Sequence, residues 1–539
     1  MEKTALTNLM LTLAMTVVFG VPVEEVNYWN RYGEKRLHDA LNKKDIVGHA
    51  KNVIIFIGDG MGMSTITAAR IYKGQLSGNN GEEYQLVYEK FPNIGLSKTY
   101  NVDKQVPDSA GTATAMFTGV KSNYYMLGLD SNAQYGVCDN QRNKRSRLDS
   151  IMKWAQVAGK DTGVVTTTRV THATPAALYA HSNHRDWECD SEIPLKYRDC
   201  IKDIARQLVE DEPAKNFKVI LGGGQKQLGI PVEPNDDDSC NRTDGRNLLH
   251  TWMEGRQNSL FVNNTGDLMN ANVDKLDYLM GIFSPGHMPY ALERDHGPNG
   301  SPSLQNMTAQ AIKMLSKSST GFVLMVEGGR IDHAHHANYA KMALHEASEL
   351  ADAVDYAVAN TNPRETLIIV TADHSHAFTM NGYPNRGNDI LGYANKSVVD
   401  NPYETLTYAN GPGYYTHLVS NSSDCSSNLW RVIPEEERKQ SRYRHFSPYY
   451  LEDETHGGED VPVFSTGPSS YLLTGVFEQN YIAHVMGYAA CMGPPGKYCE
   501  DVNIGMLVSP SASSSHSVTA MSALFIPALT LSIGALYKR

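Results

Sequence analysis

The sequence predicts an α/β fold built on a large, mostly parallel central sheet with helices on both faces. Two observations carry that expectation. Apolar, β-branched runs recur along a chain of 539 residues, long enough for one large α/β domain with insertions. Several of those runs also end in an acid. "NVIIFIGDG" leads Val53–Ile57 into Asp59, "GFVLMVEGGRIDHAHH" leads Phe322–Val326 into Glu327, and "TLIIVTADHSH" leads Leu367–Val370 into Asp373 and His374. Runs that are apolar at every position, not at every second one, suit strands buried on both faces of a parallel sheet. "TGVVTTTRV" (162–170) and "FKVILGGG" (217–224) are expected to be further members.

Composition narrows the function. Apolar residues make up 41% and charged residues 20%, which reads as globular, and the net charge of −11 without a long basic run argues against nucleic-acid binding. Residues 1–20 read as a signal peptide: Lys3, a short apolar stretch, then small residues. Residues 509–539 run from small residues through a polar spacer to an apolar tail, the pattern of a glycosylphosphatidylinositol (GPI) anchor signal removed on maturation; a true C-terminal span is the rival reading. The expected location is the secretory pathway and then the extracellular face of the plasma membrane. Sequons at Asn241, Asn263, Asn306, Asn395 and Asn421 fit that route, as do seven cysteines, whose odd number leaves at least one without an intrachain partner.

Because ligands collect at strand C-termini in such sheets, Asp59, Glu327 and Asp373 are expected on one rim, where mutual repulsion calls for cations between them. Asp332 and His336 are four apart and share a helix face, while His333 and His335 point elsewhere. Asp373-His374 and the loop residue His456 add ligands, and mixed imidazole–carboxylate sets suit zinc, whereas oxygen-only sets suit magnesium. "QVPDSAGTATAMFTG" (105–119) places the acid Asp108 and then Ser109 before a run of small residues. That is a capped helix start on the bland reading and a nucleophile at a helix N-terminus on the other.

Taken together, "DGMG", "PDSAGTATA", "VTTTRVTHATPAA", "VEGGRIDHAHH", "TADHSHAF" and "ETHGGEDV", in this order, resemble the signature of alkaline phosphatases, closest to the animal, membrane-anchored branch. The resemblance implies a three-layer α/β/α sandwich with a crown-like insertion. It implies two zinc ions, one on Asp332, His336 and His456 and one on Asp59, Asp373 and His374, with a magnesium ion on Asp59, Thr174 and Glu327. Ser109 would be the nucleophile and Arg185 the phosphate clamp, oriented by Asp108, with His172 and His376 near the metals. The implied reaction converts a phosphate monoester to an alcohol and phosphate in two displacements through a phosphoserine on Ser109. Four acids against three divalent ions and Arg185 leave the loaded site net positive and the empty one repulsive to a dianion.

The resemblance further implies disulfides Cys138–Cys200 and Cys491–Cys499, with no counterpart for Cys189, Cys240 and Cys425; one more bridge plus one free thiol is expected, with the pair open. The family's calcium site is not expected, because Ser284 and Asn299 stand where it has carboxylates, and Glu233 is at most a remnant. The catalytic domain is read as 45–381 and 455–508, interrupted by a crown-like insertion at 382–454. The insertion belongs, by resemblance, at a homodimer interface, with Tyr383 reaching the partner's site; residues 21–44 read as a helix that also packs on the partner. The competing readings are a related phosphodiesterase and a surface receptor that has lost catalysis. Intact ligand positions and Arg185 favour the monoesterase.

Overall fold

The computed structural model describes residues 25–233, 240–397, 400–419 and 430–499. The segments read as signal peptide and anchor, Asn421 and Cys425 lie outside the described residues.

Ten strands form the central sheet: β1 (Asn52–Gly58), β2 (Asn93–Lys98), β3 (Asp161–Arg169), β4 (Val219–Gly223), β5 (Ser259–Val262), β6 (Tyr278–Ile282), β7 (Phe322–Gly328), β8 (Thr366–Ala372), β9 (Val461–Thr466) and β10 (Gly475–Glu478). Their spatial order is β10-β2-β9-β8-β1-β7-β3-β4-β6-β5. Every neighbouring pair is parallel except those that β9 makes with β2 and β8.

The uninterrupted apolar runs have a direct physical cause. Along β1, Ile54 and Phe56 face one core while Val53, Ile55 and Ile57 face another, and β7 divides Leu324 and Val326 from Val323 and Met325 in the same way. The first core is closed by α2 (Met63–Leu76), α4 (Leu304–Leu315) and α6 (Ala340–Asn360); the second by α3 (Ser109–Thr118) and α7 (Tyr481–Ala489). Two cores on one sheet make the three-layer sandwich.

Register then sets the chemistry. Gly58 at the end of β1 pairs with Gly328 of β7 and with Ala372 of β8. Asp59 and Asp373 therefore leave adjacent strands at the same height, and Glu327, which pairs with Ile57, stands two residues lower on β7. Helix α5 (Arg330–His336) starts just beyond β7 and carries Asp332 over that rim.

The described residues of 382–454 form no strand of the central sheet. The short strand Tyr393–Lys396 pairs with Pro402–Glu404, and Leu406–Tyr408 pairs back onto Phe378–Met380. The N-terminal helix α1 (Val26–Leu41) buries none of its residues and exposes Val26, Trp29, Tyr32, Leu37 and Leu41. Among the described residues, no helix is long and apolar enough to cross a membrane.

Among the described residues there are three disulfides: Cys138–Cys200, Cys491–Cys499 and Cys189–Cys240. The third is the pairing that the sequence left open. Asn241, Asn263 and Asn395 are exposed, whereas Asn306 is half-buried in the first turn of α4.

Candidate active site

Ser109 is the first residue of α3, and all ten residues of that helix are buried. The small side chains let α3 sit deep in the second core, where Ala110 and Ala113 belong to the same cluster as Ala173, Ala176 and Ala177. Gly111 passes so close to Asn101 that a β-carbon there would lie 2.2 Å from its amide nitrogen. The Asn101 side-chain oxygen Oδ1 in turn accepts the Asp108 N–H at 3.1 Å.

Asp108 does both jobs considered for it. Its carboxylate caps α3 by accepting the Ala110 and Gly111 N–H groups at 3.0 and 3.3 Å, and it accepts the Arg185 guanidinium at 3.2 Å. Tyr125, in the left-handed region at φ 65°, completes the link: its N–H donates to Asp108 at 2.9 Å and its carbonyl accepts the Arg185 N–H at 3.0 Å. Arg185 also donates to His172 Nε2 at 3.0 Å.

The acids and imidazoles gather beside Ser109. Asp332 Oδ1 lies 3.3 Å from both His336 Nε2 and His456 Nε2, which are themselves 3.1 Å apart. His374 Nε2 lies 3.5 Å from Asp59 Oδ1, 3.2 Å from Asp373 Oδ2 and 3.1 Å from Ser109 Oγ. Each of these rings spends its Nδ1 proton on a backbone carbonyl: His456 on Pro107 at 2.8 Å, His374 on Ser375 at 3.2 Å, and His336 on Glu454. That arrangement turns the Nε2 lone pairs inward, where they repel unless a proton or a cation sits among them.

His376 differs. Burial would lower it, but the Glu454 and Asp332 carboxylates outweigh burial and push it up to about 10. Its two nitrogens both face carboxylates, Nδ1 that of Glu454 and Nε2 that of Asp332 at 2.9 Å. His335, expected to point elsewhere, is fully buried between Thr65 and the Tyr408 hydroxyl. His333 lines the pocket and packs 4.2 Å from His287.

A third group contains only oxygen. Asp59 Oδ2, Thr174 Oγ1 and Glu327 Oε1 are all buried without a hydrogen-bond partner. Buried polar atoms are normally paired, so three orphans on residues of one rim fit a hard cation with oxygen ligands. The other Glu327 oxygen accepts the Thr166 and Thr168 hydroxyls at 2.5 and 3.2 Å. Gly60 at φ 66° brings its N–H to Asp373 at 3.0 Å, and a β-carbon there would strike His376 at 2.2 Å.

The electrostatics point the same way. Asp59 is raised well above the usual carboxylate range by burial and then by Asp373, Asp332 and Glu327. Burial also raises Asp373, and it lifts Glu327 to about 7. Buried carboxylates held this close stay ionised only with positive charge between them. Ser109, Arg185, Asp332, His336 and His456 share one open pocket of about 970 Å³.

Sequence reasoning missed several supports: Glu454, Tyr125, Thr166, Thr168 and His287. Thr166 was legible in principle, since β3 pairs it with Glu327. Tyr125 carried no signal, because its role rests on a backbone conformation that its residue type disfavours.

The comparisons with known proteins agree with one another. The family model for alkaline phosphatase matches residues 50–492. Alkaline phosphatase 4 of Drosophila melanogaster is 48% identical, over 96% of this chain and 91% of the relative. The tissue-nonspecific isozyme of Gallus gallus is 46% identical, over 88% of this chain and 91% of the relative. Among solved structures, Thermus thermophilus alkaline phosphatase superposes with TM-score 0.59 at 22% identity, covering 84% of this chain and 94% of the other. Alkaline phosphatase from the Antarctic bacterium TAB5 gives 0.55 at 24% identity, covering 83% and 99%. These two structural likenesses speak for the fold.

Proposed function

Because this chain belongs to the alkaline phosphatase family, whose members hydrolyse phosphate monoesters, we propose that its reaction runs through a phosphoserine on Ser109 with Arg185 as the phosphate clamp. The observation that carries the proposal is the convergence of Ser109, the Arg185–Asp108 pair and inward-facing ligand atoms in one pocket.

The donor sets fit the metals of the resemblance. Asp332, His336 and His456 would hold one zinc ion; Asp59, Asp373 and His374 a second; Asp59, Thr174 and Glu327 a magnesium ion. When bound, such ions supply Lewis-acid chemistry, favouring an ionised nucleophile and an ionised leaving group.

The chain's own residues do the rest. Ser109 Oγ attacks phosphorus; the Oγ–P bond forms as the ester P–O bond breaks and the alcohol leaves. Water then attacks the phosphoserine, the Oγ–P bond breaks, and phosphate departs. Arg185 grips two phosphoryl oxygens through its planar fork, which Asp108 and the Tyr125 backbone hold in place. The N-terminus of α3 adds oriented N–H groups and the positive end of its dipole. A Ser–His–Asp triad is a poor description, since Asp59, Asp373 and Ser109 all crowd the same His374 nitrogen while Nδ1 is bound to a carbonyl.

The wider setting belongs to the same reading. Disulfides and exposed sequons support a secreted protein, and the tail at 509–539 supports a lipid anchor. The exposed apolar residues of α1, with Tyr383 95% exposed in the insertion at 382–454, support a homodimer. Light scattering on the purified protein tests that assembly.

The decisive test measures phosphate release from p-nitrophenyl phosphate by the full-length holoenzyme, the chelator-stripped protein, the same protein refilled with zinc and magnesium, and Ser109→Ala. The expected result is activity lost on stripping, restored by refilling, and reduced roughly 10³-fold or more in the variant. A chiral phosphate ester should react with net retention; inversion would rule out the phosphoserine.

A further inference from the structure

The chain carries a net charge of −11, yet one part of its surface concentrates positive charge. Residues 140–147, "NQRNKRSR", hold four cations and no acid. They begin as a short helix, Asn140–Ser146, capped by Asp139, whose carboxylate accepts the Gln141 and Arg142 N–H groups at 3.0 and 2.9 Å. The disulfide Cys138–Cys200 fastens this segment to a second, 195–202, which adds Lys196, Arg198 and Lys202. Two further ties hold the arrangement: the Asn183 amide donates to the Asn143 side-chain oxygen at 3.2 Å, and Arg147 forms a β-bridge with Leu129.

Between the two segments the surface opens into a cleft. Arg147, Arg198, Lys202 and Arg206 line a cavity of about 600 Å³. An adjoining cavity of about 290 Å³, which shares Arg147, His181 and Cys200 with the first, is also lined by Lys144. The cations fall into two groups. Lys202 is paired with Glu210 and Asp211 at 3.0 and 2.5 Å, and Arg206 with Glu210 at 3.1 Å. Lys144, Arg145, Arg147 and Arg198 are exposed, and no described carboxylate forms an ion pair with any of them. Of the acids lining the larger cavity, Asp211 and Glu212 are taken by lysines, and Asp199 alone is left. Four unpaired cations against one unpaired acid give the cleft a local positive excess on an acidic molecule. A merely solvated face looks different: at 435–439 the acids Glu435–Glu437 alternate with cations, and Lys439 is paired with Glu435 at 2.7 Å.

We propose that this cleft is a docking surface for a sulfated polysaccharide chain. Guanidinium forks match the paired oxygens of a sulfate group, and three of the four unpaired cations are arginines. The stapled backbone holds them in place before binding, which limits the ordering cost. A concave cleft admits a narrow chain. The surface is also free to receive one: no sequon falls within 138–212, and neither α1 nor the insertion at 382–454 contributes to the lining. The site is independent of the reaction on Ser109; the choice of occupant rests on the secreted reading above.

The test measures binding of the metal-loaded, full-length protein to immobilised heparin, with hyaluronan, which carries carboxylates but no sulfate, as the comparison. The wild type should bind heparin at physiological salt, about 10-fold or more tighter than hyaluronan. Arg147→Gln/Arg198→Gln should weaken heparin binding by about 10-fold and flatten its salt dependence, with hydrolysis of p-nitrophenyl phosphate held within about two-fold. Lys275→Gln/Lys313→Gln removes the same charge from exposed positions outside the cleft and should move heparin affinity less than about two-fold. Equal weakening by the two double variants would mean attraction by overall charge and would overturn the site. A wild type that heparin fails to retain would overturn it as well. Tighter binding to phosphatidylserine vesicles than to heparin would overturn the polysaccharide and assign the cleft to a lipid surface.

Discussion

Two buried glutamates invite comparison. Glu327 on the catalytic rim and Glu404 in the insertion at 382–454 are both almost fully buried, and burial pushes both up to about 7. Their surroundings differ in one respect. Glu404 is satisfied on both oxygens, one by the Tyr443 hydroxyl and the other by the Phe446 N–H at 2.9 Å. Glu327 is satisfied on one oxygen only, and the other has no partner, like buried oxygens of Asp59 and Thr174. Residue type, burial and acidity are therefore the same in a structural network and in a candidate metal site. The discriminating feature is the clustering of unpaired oxygens on one rim, since single unpaired buried oxygens also occur away from it, as at Ser97, Gln310 and Thr405.

The comparison can be broken most directly by swapping each acid for its amide. Glu327→Gln should lower kcat/KM by about 100-fold or more and reduce bound magnesium, measured by steady-state kinetics and metal analysis. Glu404→Gln should leave both within about two-fold. Equal effects would show that the orphaned oxygen does not mark function.

A smaller change sharpens the same contrast. Thr174→Val keeps the shape and removes only one of the orphans, so magnesium affinity should fall by about 10-fold with activity recovered at high magnesium. Titration of the stripped protein with magnesium, read by activity and calorimetry, measures this.

Glu404 also makes a pH prediction. Its folded pKa lies above its unfolded one, so the folded state holds the extra proton between about 4.5 and about 7. The stability it contributes is complete below that window and is lost as pH rises through it, on the order of 3 kcal/mol. Denaturation midpoints from pH 4.5 to 8 should decline more in the wild type than in Glu404→Gln. Smallest of all, Tyr443→Phe removes one donor to Glu404 and should cost about 1 kcal/mol with no change in kcat/KM, read by denaturant titration.

Much of this was legible in the chain. The strands at 52–58, 322–328 and 366–372 announce themselves because burial on both faces leaves no polar alternation. The acids near their ends are expected on one rim; the parallel register sets Asp59 level with Asp373, with Glu327 two residues lower. The Asp108 carboxylate was read as either a cap or an orienting group; in the folded protein it is both, since its two oxygens can serve the helix end and the guanidinium together. Glu454 was not legible, although it stands two residues before His456, because its partners His376 and Ala377 are remote in sequence.

What the sequence by itself determined is whatever depends on residue type and local order: the two-faced strands, the helix begun at Ser109, the i,i+4 spacing of Asp332 and His336, and the family signature. Only the tertiary structure decided which nitrogen of each histidine faces inward, that His376 stands between the Glu454 and Asp332 carboxylates, that Cys189 joins Cys240, and that Tyr125 ties the helix of Ser109 to Arg185. The reason is physical. Local preferences act over a turn of chain, while hydrogen-bond direction and burial are set by groups that meet only when distant segments pack, and those two quantities decide whether a carboxylate or an imidazole is a strut or a site.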